Sequence, residues 1–324
     1  MSRASVASAE GRSGVTVRKP KALSAGSRLA AFAPASPGEH APANRGCAEL
    51  KRLGFAVEGT TKQASIGYFA ADAADRRAEF LQKLRDPQID GLIALRGGYG
   101  SNYLLDERLA QELSLAKCII GFSDLTTLQM FLWQQCGWTS IYGPMLGAGL
   151  EAGAGAAKGY DQGSFLAAIR NVDGGWGISL EGEVLAHGAV EGTVVGGCMT
   201  LLQTSIGTPW ELDTRDSILL LEDRGMKPWQ VDRALIHLQQ ANKFGGVRGI
   251  VLGDFPDGLA PVAGSPTVRD VCARILKPLG VPIIFGAPVG HTLRPMLTIP
   301  LGVRAQLRCE GTGSLNVLEA AVTA

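Results

Sequence analysis

Three polar residues far apart in the chain have the types that nucleophilic catalysis requires. Ser123 stands between an apolar run and a helical pattern, Glu222 follows the apolar run Ser217–Leu221, and His291 follows a glycine-rich turn. A serine hydroxyl becomes a nucleophile when an imidazole takes its proton, and a carboxylate can hold that imidazole in the required tautomer. These residue types would suit a serine hydrolase, provided that the fold brings them together.

Each of the three residues also has an ordinary structural interpretation. Serine before a helix commonly caps the first turn, an acidic residue after an apolar run often marks a solvated strand end, and a loop histidine can cap a turn. Alternatively, a sharp strand-to-helix turn would expose the hydroxyl of Ser123 beside the free N–H groups of the helix. The strict Gly-x-Ser-x-Gly pattern is not met, because Leu125 stands at the second glycine position. Spacing alone leaves both interpretations open.

A glycine-rich segment, Arg96–Ser101, follows the apolar run Gly91–Leu95. It does not match the dinucleotide-binding fingerprint, because Tyr103 occupies the position of the last glycine or alanine. It also lacks the Lys-Ser/Thr pair of a phosphate-binding loop. A backbone N–H group of Gly97 or Gly98 could instead stabilise an oxyanion next to Ser123.

Length and composition restrict the class of protein. A chain of 324 residues predicts two domains, and 46% apolar with 19% charged residues is typical of a folded protein. A net charge of +1 without a long basic run argues against nucleic acid or an anionic membrane as a partner. No apolar stretch reaches about 18 residues, so we expect no membrane span. The six scattered cysteines form no metal-binding pattern and favour a reducing, cytoplasmic location.

The order of apolar runs and helical patterns predicts an α/β fold. Up to residue 142 short apolar runs alternate with helical patterns, which indicates a mostly parallel sheet with helices on both faces. After a glycine- and alanine-rich stretch, the second half is richer in short strand-like segments. The predicted division is a disordered leader at 1–18, a nucleophile-bearing domain at 19–165, a linker at 166–185, and a domain bearing the acid and histidine at 186–324.

Four motifs, taken together and in order, carry a family resemblance. They are Arg96-Gly97-Gly98-Tyr99-Gly100, then Gly121-Phe122-Ser123-Asp124-Leu125-Thr126, then Leu221-Glu222-Asp223 ahead of Val231-Asp232-Arg233, and finally Phe285-Gly286-x-Pro288-x-Gly290-His291. In this order they resemble the LD-carboxypeptidase family, which includes muramoyl-tetrapeptide carboxypeptidases and microcin C immunity proteins. The likeness runs from about Lys19 to the C-terminus. The segment Tyr142–Met145 also resembles the family, although Tyr142 stands where the family often has histidine.

The resemblance implies a role for each candidate residue. Ser123 would be the nucleophile, Glu222 the orienting acid and His291 the general base. The backbone N–H groups of Asp124 and of Gly97 or Gly98 would form the oxyanion hole. The implied fold is a Rossmann-like N-terminal domain followed by a β-rich swivelling α/β domain, with the site between them.

The implied activity is removal of the terminal D-alanine from a murein tetrapeptide during cell-wall recycling. The resemblance implies neither a metal nor an organic cofactor, and it implies a homodimer. A microcin-type peptidase that cleaves an aminoacyl-nucleotide amide remains an alternative. A non-catalytic small-molecule binding protein would explain the glycine-rich loop but not the three polar residues. An ordinary α/β-hydrolase esterase shares the order Ser, Glu, His. The missing second glycine of the elbow motif and the β-rich second half of the chain argue against this alternative.

Overall fold

Two β-sheets organise the residues described by the structure, which are 16–59 and 64–324 of a computed structural model. The first sheet has five parallel strands in the order β2-β1-β3-β4-β5. These strands are β1 (Arg28–Phe32), β2 (Ala56–Glu58), β3 (Gly91–Ala94), β4 (Cys118–Gly121) and β5 (Ser140–Tyr142). This doubly wound order opens a crevice at the carboxyl ends of the strands, where α/β proteins bind ligands.

Five helices accompany the first sheet. They are α1 (His40–Arg52), α2 (Ala73–Arg85), α3 (Glu107–Glu112), α4 (Leu125–Cys136) and α5 (Gln162–Arg170). Strands β3 and β4 are buried at every residue, as expected for parallel strands that are covered on both faces. Nearly all of α4 is buried as well, so the helix that follows Ser123 is held firmly in the core.

The second sheet has eight strands. They are β6 (Trp176–Ser179), β7 (Glu183–Ala186), β8 (Gly188–Cys198), β9 (Ser217–Glu222), β10 (Gly249–Gly253), β11 (Ile283–Ala287), β13 (Arg304–Cys309) and β14 (Ser314–Val317). Its helices are α6 (Met199–Ser205), α7 (Pro228–Gln240) and α8 (Val268–Leu276). Strands β8 to β11 are parallel, and the outer strands pair antiparallel. The carboxyl ends of β9, β10 and β11 therefore meet at one edge of the sheet.

The chain crosses between the two sheets more often than we expected. The segment 166–185, which we predicted to be a linker, contains the end of α5, strand β6 and most of β7. Strand β12 (Ile299–Leu301) lies in the segment assigned to the second domain, but it pairs antiparallel with β5 at the edge of the first sheet. These short strands depend on partners far away in the chain, so local periodicity does not reveal them.

The predicted leader falls mostly on residues 1–15, which lie outside the described part of the chain. Arg18, at the end of the predicted leader, is already attached to the fold. Its N–H donates to the carbonyl of Gly137 at 2.8 Å, and its carbonyl accepts from the N–H of Thr139 at 3.1 Å. All six cysteines are buried free thiols. Within the described residues, no helix combines the length and the apolar character needed to span a bilayer.

Candidate active site

A cavity of about 350 Å³ lies between the two sheets. The loops at the carboxyl ends of the first sheet contribute Gly97, Gly98 and Ser123 to its wall, and the second domain contributes Arg224 and His291. Three of the motifs found in the sequence thus reach the wall of the same cavity. A cleft between domains is a common place for a ligand to bind.

Ser123 occupies a strained turn between β4 and α4. Its φ of 63° lies in the left-handed region, which a residue with a Cβ adopts only at an energetic cost. The side chain does not cap α4, because the N–H groups of Thr126 and Thr127 donate to the main-chain carbonyls of Ser123 and Asp124 and not to their side chains. A turn of this kind, with its hydroxyl left free at a cavity, is the arrangement of a nucleophile elbow.

The glycine-rich loop packs directly against Ser123. A Cβ placed on Gly97 would lie 2.8 Å from both Cβ and Oγ of Ser123, so only glycine fits there. The N–H groups of Gly97, Gly98 and Asp124 donate to no acceptor within residues 16–59 and 64–324. Free N–H groups at a loop and at a helix N-terminus can receive a developing negative charge.

The carboxylate of Asp124 ties the glycine-rich loop to the serine turn. It accepts the N–H of Ser101 at 2.8 Å. Burial raises the pKa of Asp124 above its ordinary value, while hydrogen bonds from the loop act in the opposite direction. The side chain of Asp124 therefore has a structural role that is separate from its backbone N–H.

Glu222 and His291 form a close pair behind the cavity. Glu222 is the last residue of β9 and is fully buried. Its Oε2 accepts both the main-chain N–H and Nδ1 of His291, each at 2.9 Å. Gly290, with a φ of 61°, lets the two residues approach, because a Cβ there would lie 2.7 Å from Oε1 of Glu222. With Nδ1 occupied by the carboxylate, Nε2 of His291 remains available for chemistry.

The environment of His291 favours its charged form. Burial lowers the pKa of His291, but the charge and hydrogen bond of Glu222, together with the charge of Asp223, outweigh burial and the opposing charge of Arg224. The pKa of His291 therefore lies above its ordinary value. A raised pKa makes the imidazole a stronger base than a free histidine.

A second carboxylate holds the loop that carries His291. Asp254, directly after β10, accepts from Nη2 of Arg294 at 2.6 Å and from the hydroxyl of Thr292. Arg294 also donates to the carbonyl of Gly286, near the end of β11, the strand that leads into this loop. The loop is therefore fixed on both sides of His291. Across the described ranges, no cluster of three or more His, Cys, Asp or Glu side chains is arranged to hold a metal ion.

Comparison with known protein families agrees with this arrangement. Residues 29–143 match the LD-carboxypeptidase N-terminal domain, and residues 191–307 match the LD-carboxypeptidase C-terminal domain. The chain belongs to the LD-carboxypeptidase family. It is accordingly a carboxypeptidase, and the predicted family and fold class are confirmed.

Individual LD-carboxypeptidase relatives resemble the chain over most of its length. A probable murein peptide carboxypeptidase of Bacillus subtilis is 29% identical over 296 residues, which cover 89% of this chain and 91% of that protein. The crystal structure of muramoyltetrapeptide carboxypeptidase from Oxalobacter formigenes has a TM-score of 0.79 at 27% identity and covers 91% of this chain and 99% of that one. A structure of MccF in complex with glutamyl sulfamoyl guanosine has a TM-score of 0.83 at 22% identity, covering 94% and 99%, and shows a shared fold.

The fold places the candidate residues of this LD-carboxypeptidase together. Gly97, Gly98, Ser123 and His291 line one cavity, and Glu222 lies behind His291. Sequence reasoning missed Gly253 and Asp254, which pack against Glu222 and hold the histidine loop. It also assigned no role to Tyr142, whose hydroxyl donates to Glu222. The position of Gly290 next to His291 was visible in the sequence, whereas the other contacts have no local signal.

Proposed function

We propose that this carboxypeptidase uses Ser123 as nucleophile, His291 as general base and Glu222 as the acid that orients it. The observation that carries the proposal is the contact of 2.9 Å between Glu222 Oε2 and His291 Nδ1, at a cavity that Ser123 also lines. The contact fixes the tautomer that leaves Nε2 free to accept a proton. The serine turn supplies the hydroxyl, and the nearby free N–H groups supply electrostatic stabilisation.

The proposed reaction proceeds through an acyl-enzyme. Ser123 Oγ attacks the carbonyl carbon of the scissile peptide bond while His291 Nε2 takes its proton. The N–H groups of Asp124 and of Gly97 or Gly98 stabilise the resulting oxyanion. His291 then gives the proton to the departing amine, and a water molecule activated by the same imidazole releases the acyl group. The residues named here perform every proton transfer in this scheme.

The proposed substrate is a murein tetrapeptide from which the terminal D-alanine is removed during cell-wall recycling. The Bacillus subtilis relative is named as a murein peptide carboxypeptidase, which supports this class of substrate. The cavity wall carries charges of both signs, with Arg96, Lys158 and Arg224 beside Glu39 and Glu151. Its cations are suitable partners for a free carboxyl terminus, and Arg224 already pairs with Asp257 at 2.8 Å. We propose Arg96 and Lys158 as the cations nearest to the substrate carboxylate.

A panel of three substrates tests the proposed function. The purified protein is given a murein tetrapeptide, a simple ester and an aminoacyl nucleotide, and the products are separated by chromatography. We expect D-alanine from the tetrapeptide at the highest kcat/KM. Faster cleavage of the aminoacyl nucleotide would assign a microcin-type activity, and turnover of the ester alone would assign an esterase. Binding of the peptide without turnover would contradict the catalytic proposal.

The raised pKa of His291 predicts an acid limit to activity. Protonated His291 cannot accept the proton of Ser123, so kcat/KM falls as the pH falls through the pKa of His291. Because this pKa lies above the ordinary value of about 6.5, half-maximal kcat/KM should occur above pH 6.5. A pH–rate profile at constant ionic strength measures this midpoint. Full activity down to pH 5 would show that His291 is not the base.

A further inference from the structure

The buried contact between the two domains behind His291 contains a tyrosine hydroxyl. Tyr142 is the last residue of β5 in the first sheet and is fully buried. Its hydroxyl donates to Oε1 of Glu222, on the second sheet, at 2.5 Å. The two oxygens of Glu222 are therefore held from different sides, Oε1 by Tyr142 and Oε2 by His291.

The backbone of Tyr142 is tied to the strand that carries the serine. Tyr142 is aligned with Gly121, the last residue of β4, and Ser123 follows only two residues later. On its other side Tyr142 pairs with Ile299 of β12, the strand that returns from the second domain. The hydroxyl thus projects from a strand whose position is set relative to Ser123 and contacts an acid supplied by the other sheet.

A buried carboxylate needs such a donor. Glu222 has no exposed surface, and an ionised group without compensating hydrogen bonds is costly to bury. Without the hydroxyl, Oε1 would face an apolar ring, and the carboxylate could lower its energy by turning away from His291. A charged hydrogen-bond acceptor in this position is therefore sensitive to the loss of one donor.

We propose that Tyr142 is a positioning residue for hydrolysis, whose hydroxyl holds Oε1 of Glu222 across the domain boundary so that Oε2 remains directed at His291. This inference rests on the proposed function, in which His291 is the base. Tyr142 acts through Glu222 and contacts neither Ser123 nor the substrate.

The protonation of the phenol suits this task. Burial raises the pKa of Tyr142 well above its ordinary value, and the negative charge of Glu222 raises it further. The phenol therefore remains a donor over the whole working range of pH. Thr126 of α4 lies beside it and accepts the N–H of Cys198 at 3.1 Å, which closes the contact between the two domains.

The other ionisable groups near Glu222 and His291 have their own partners or are neutral. Asp223 accepts from Thr200, and Arg224 pairs with Asp257. Burial raises the pKa of the Cys198 thiol well above its ordinary value, so it is neutral near pH 7. Asp223 and Arg224 act on His291 with opposite sign. Removal of the Tyr142 hydroxyl alone should therefore produce a measurable shift in the midpoint of the His291 titration.

The variant Tyr142→Phe removes only the hydroxyl and keeps the buried ring. We expect kcat to fall by about tenfold or more with little change in KM, because a hydrogen bond to a charged group is lost. We also expect the midpoint of the His291 titration to move to lower pH. A Glu222 side chain that has turned away contributes less of the charge and of the hydrogen bond that raise the pKa of His291. The acid limb of kcat/KM should move in the same direction.

Tyr160→Phe is the matched control. Tyr160 is also a fully buried tyrosine, and its hydroxyl donates to the carboxylate of Glu49 at 2.6 Å, within the first domain. This control removes the same kind of hydrogen bond at a carboxylate that is not part of the proposed triad. We expect the kcat of this variant to stay within about twofold of the wild-type value. The midpoint of the His291 titration should equal that of the wild type within experimental error.

The His291 ring is followed by NMR in the full-length protein, with its signal assigned from His291→Gln. An unchanged midpoint in Tyr142→Phe, or a loss of kcat no greater than in Tyr160→Phe, overturns the inference. The NMR measurement needs no substrate, so it is independent of the assignment of Ser123. If Ser123→Ala stays active, the proposed function fails, while the shift at His291 still decides the role of Tyr142.

A second measurement tests the inference if the Tyr142→Phe protein does not fold. Biosynthetic replacement of the five tyrosines by 3-fluorotyrosine makes each phenol a stronger donor without removing it. A stronger donor draws charge from Glu222 while keeping it in place, so the inference requires the His291 midpoint to move to lower pH, and to do so equally in a Tyr160→Phe background. No movement in the fluorinated protein would overturn the inference.

Discussion

Replacing Ser123 with alanine should lower kcat by several orders of magnitude while the protein keeps its fold, as is usual for the nucleophile of a triad. The hydroxyl of Ser123 neither caps α4 nor bonds to another group in the described chain, so its removal costs the fold little. Without it, no acyl-enzyme can form on the strained turn. The measurement is steady-state turnover of the murein tetrapeptide, alongside circular dichroism and thermal unfolding.

Ser101→Ala is a suitable control for this loss. Ser101 lies in the neighbouring glycine-rich loop and is fully buried, and its hydroxyl faces the carboxylate of Asp124 without a well-formed hydrogen bond in the described ranges. Its backbone N–H, which bonds to Asp124, is unaffected by the substitution. We expect Ser101→Ala to retain most of the activity. If Ser123→Ala remained within about tenfold of the wild type with a normal fold, Ser123 would not be the nucleophile.

Replacing Glu222 with glutamine should lower kcat by roughly a hundredfold or more, by analogy with other triads. Glu222 presents one acceptor oxygen to Tyr142 and the other to His291. Glutamine has a single carbonyl oxygen, so its NH2 group must face one of these two donors. Either arrangement disturbs the tautomer or the position of the imidazole. The measurement is kcat on the same tetrapeptide that is used for Ser123→Ala.

Asp223→Asn is the natural comparison, because Asp223 is adjacent in sequence and points elsewhere. Its Oδ2 accepts from the N–H of Thr200 at 2.9 Å and from the hydroxyl of Thr200 at 2.7 Å, which stabilises the start of α6. Asparagine preserves an acceptor for these bonds, so the effect on kcat should be clearly smaller. If Asp223→Asn were the more damaging substitution, the assigned acid would be wrong by one residue. If neither mattered, another group would orient His291.

Several features of the fold could be predicted from local sequence, because they depend on residues close together in the chain. The apolar run before Ser123 and the helical pattern after it predicted a strand-turn-helix unit, and the structure contains β4, the strained turn and α4 at that place. The apolar run Ser217–Leu221 likewise predicted β9, which extends to Glu222. Hydrophobic periodicity and glycine positions encode such units directly, since side-chain spacing follows the period of the element.

The tertiary structure alone decided which distant groups meet. Nothing near Tyr142 indicates that its hydroxyl reaches Glu222, 80 residues later. Nothing near Ile299 indicates that β12 returns to the first sheet, and the segment 166–185 gave no sign of β6, which pairs with β14. These contacts arise from the packing of two sheets, which depends on the whole core rather than on any window of the chain. The sequence by itself determined the candidate chemistry and the units that carry it, whereas the arrangement of the acid between Tyr142 and His291 required the assembled domains.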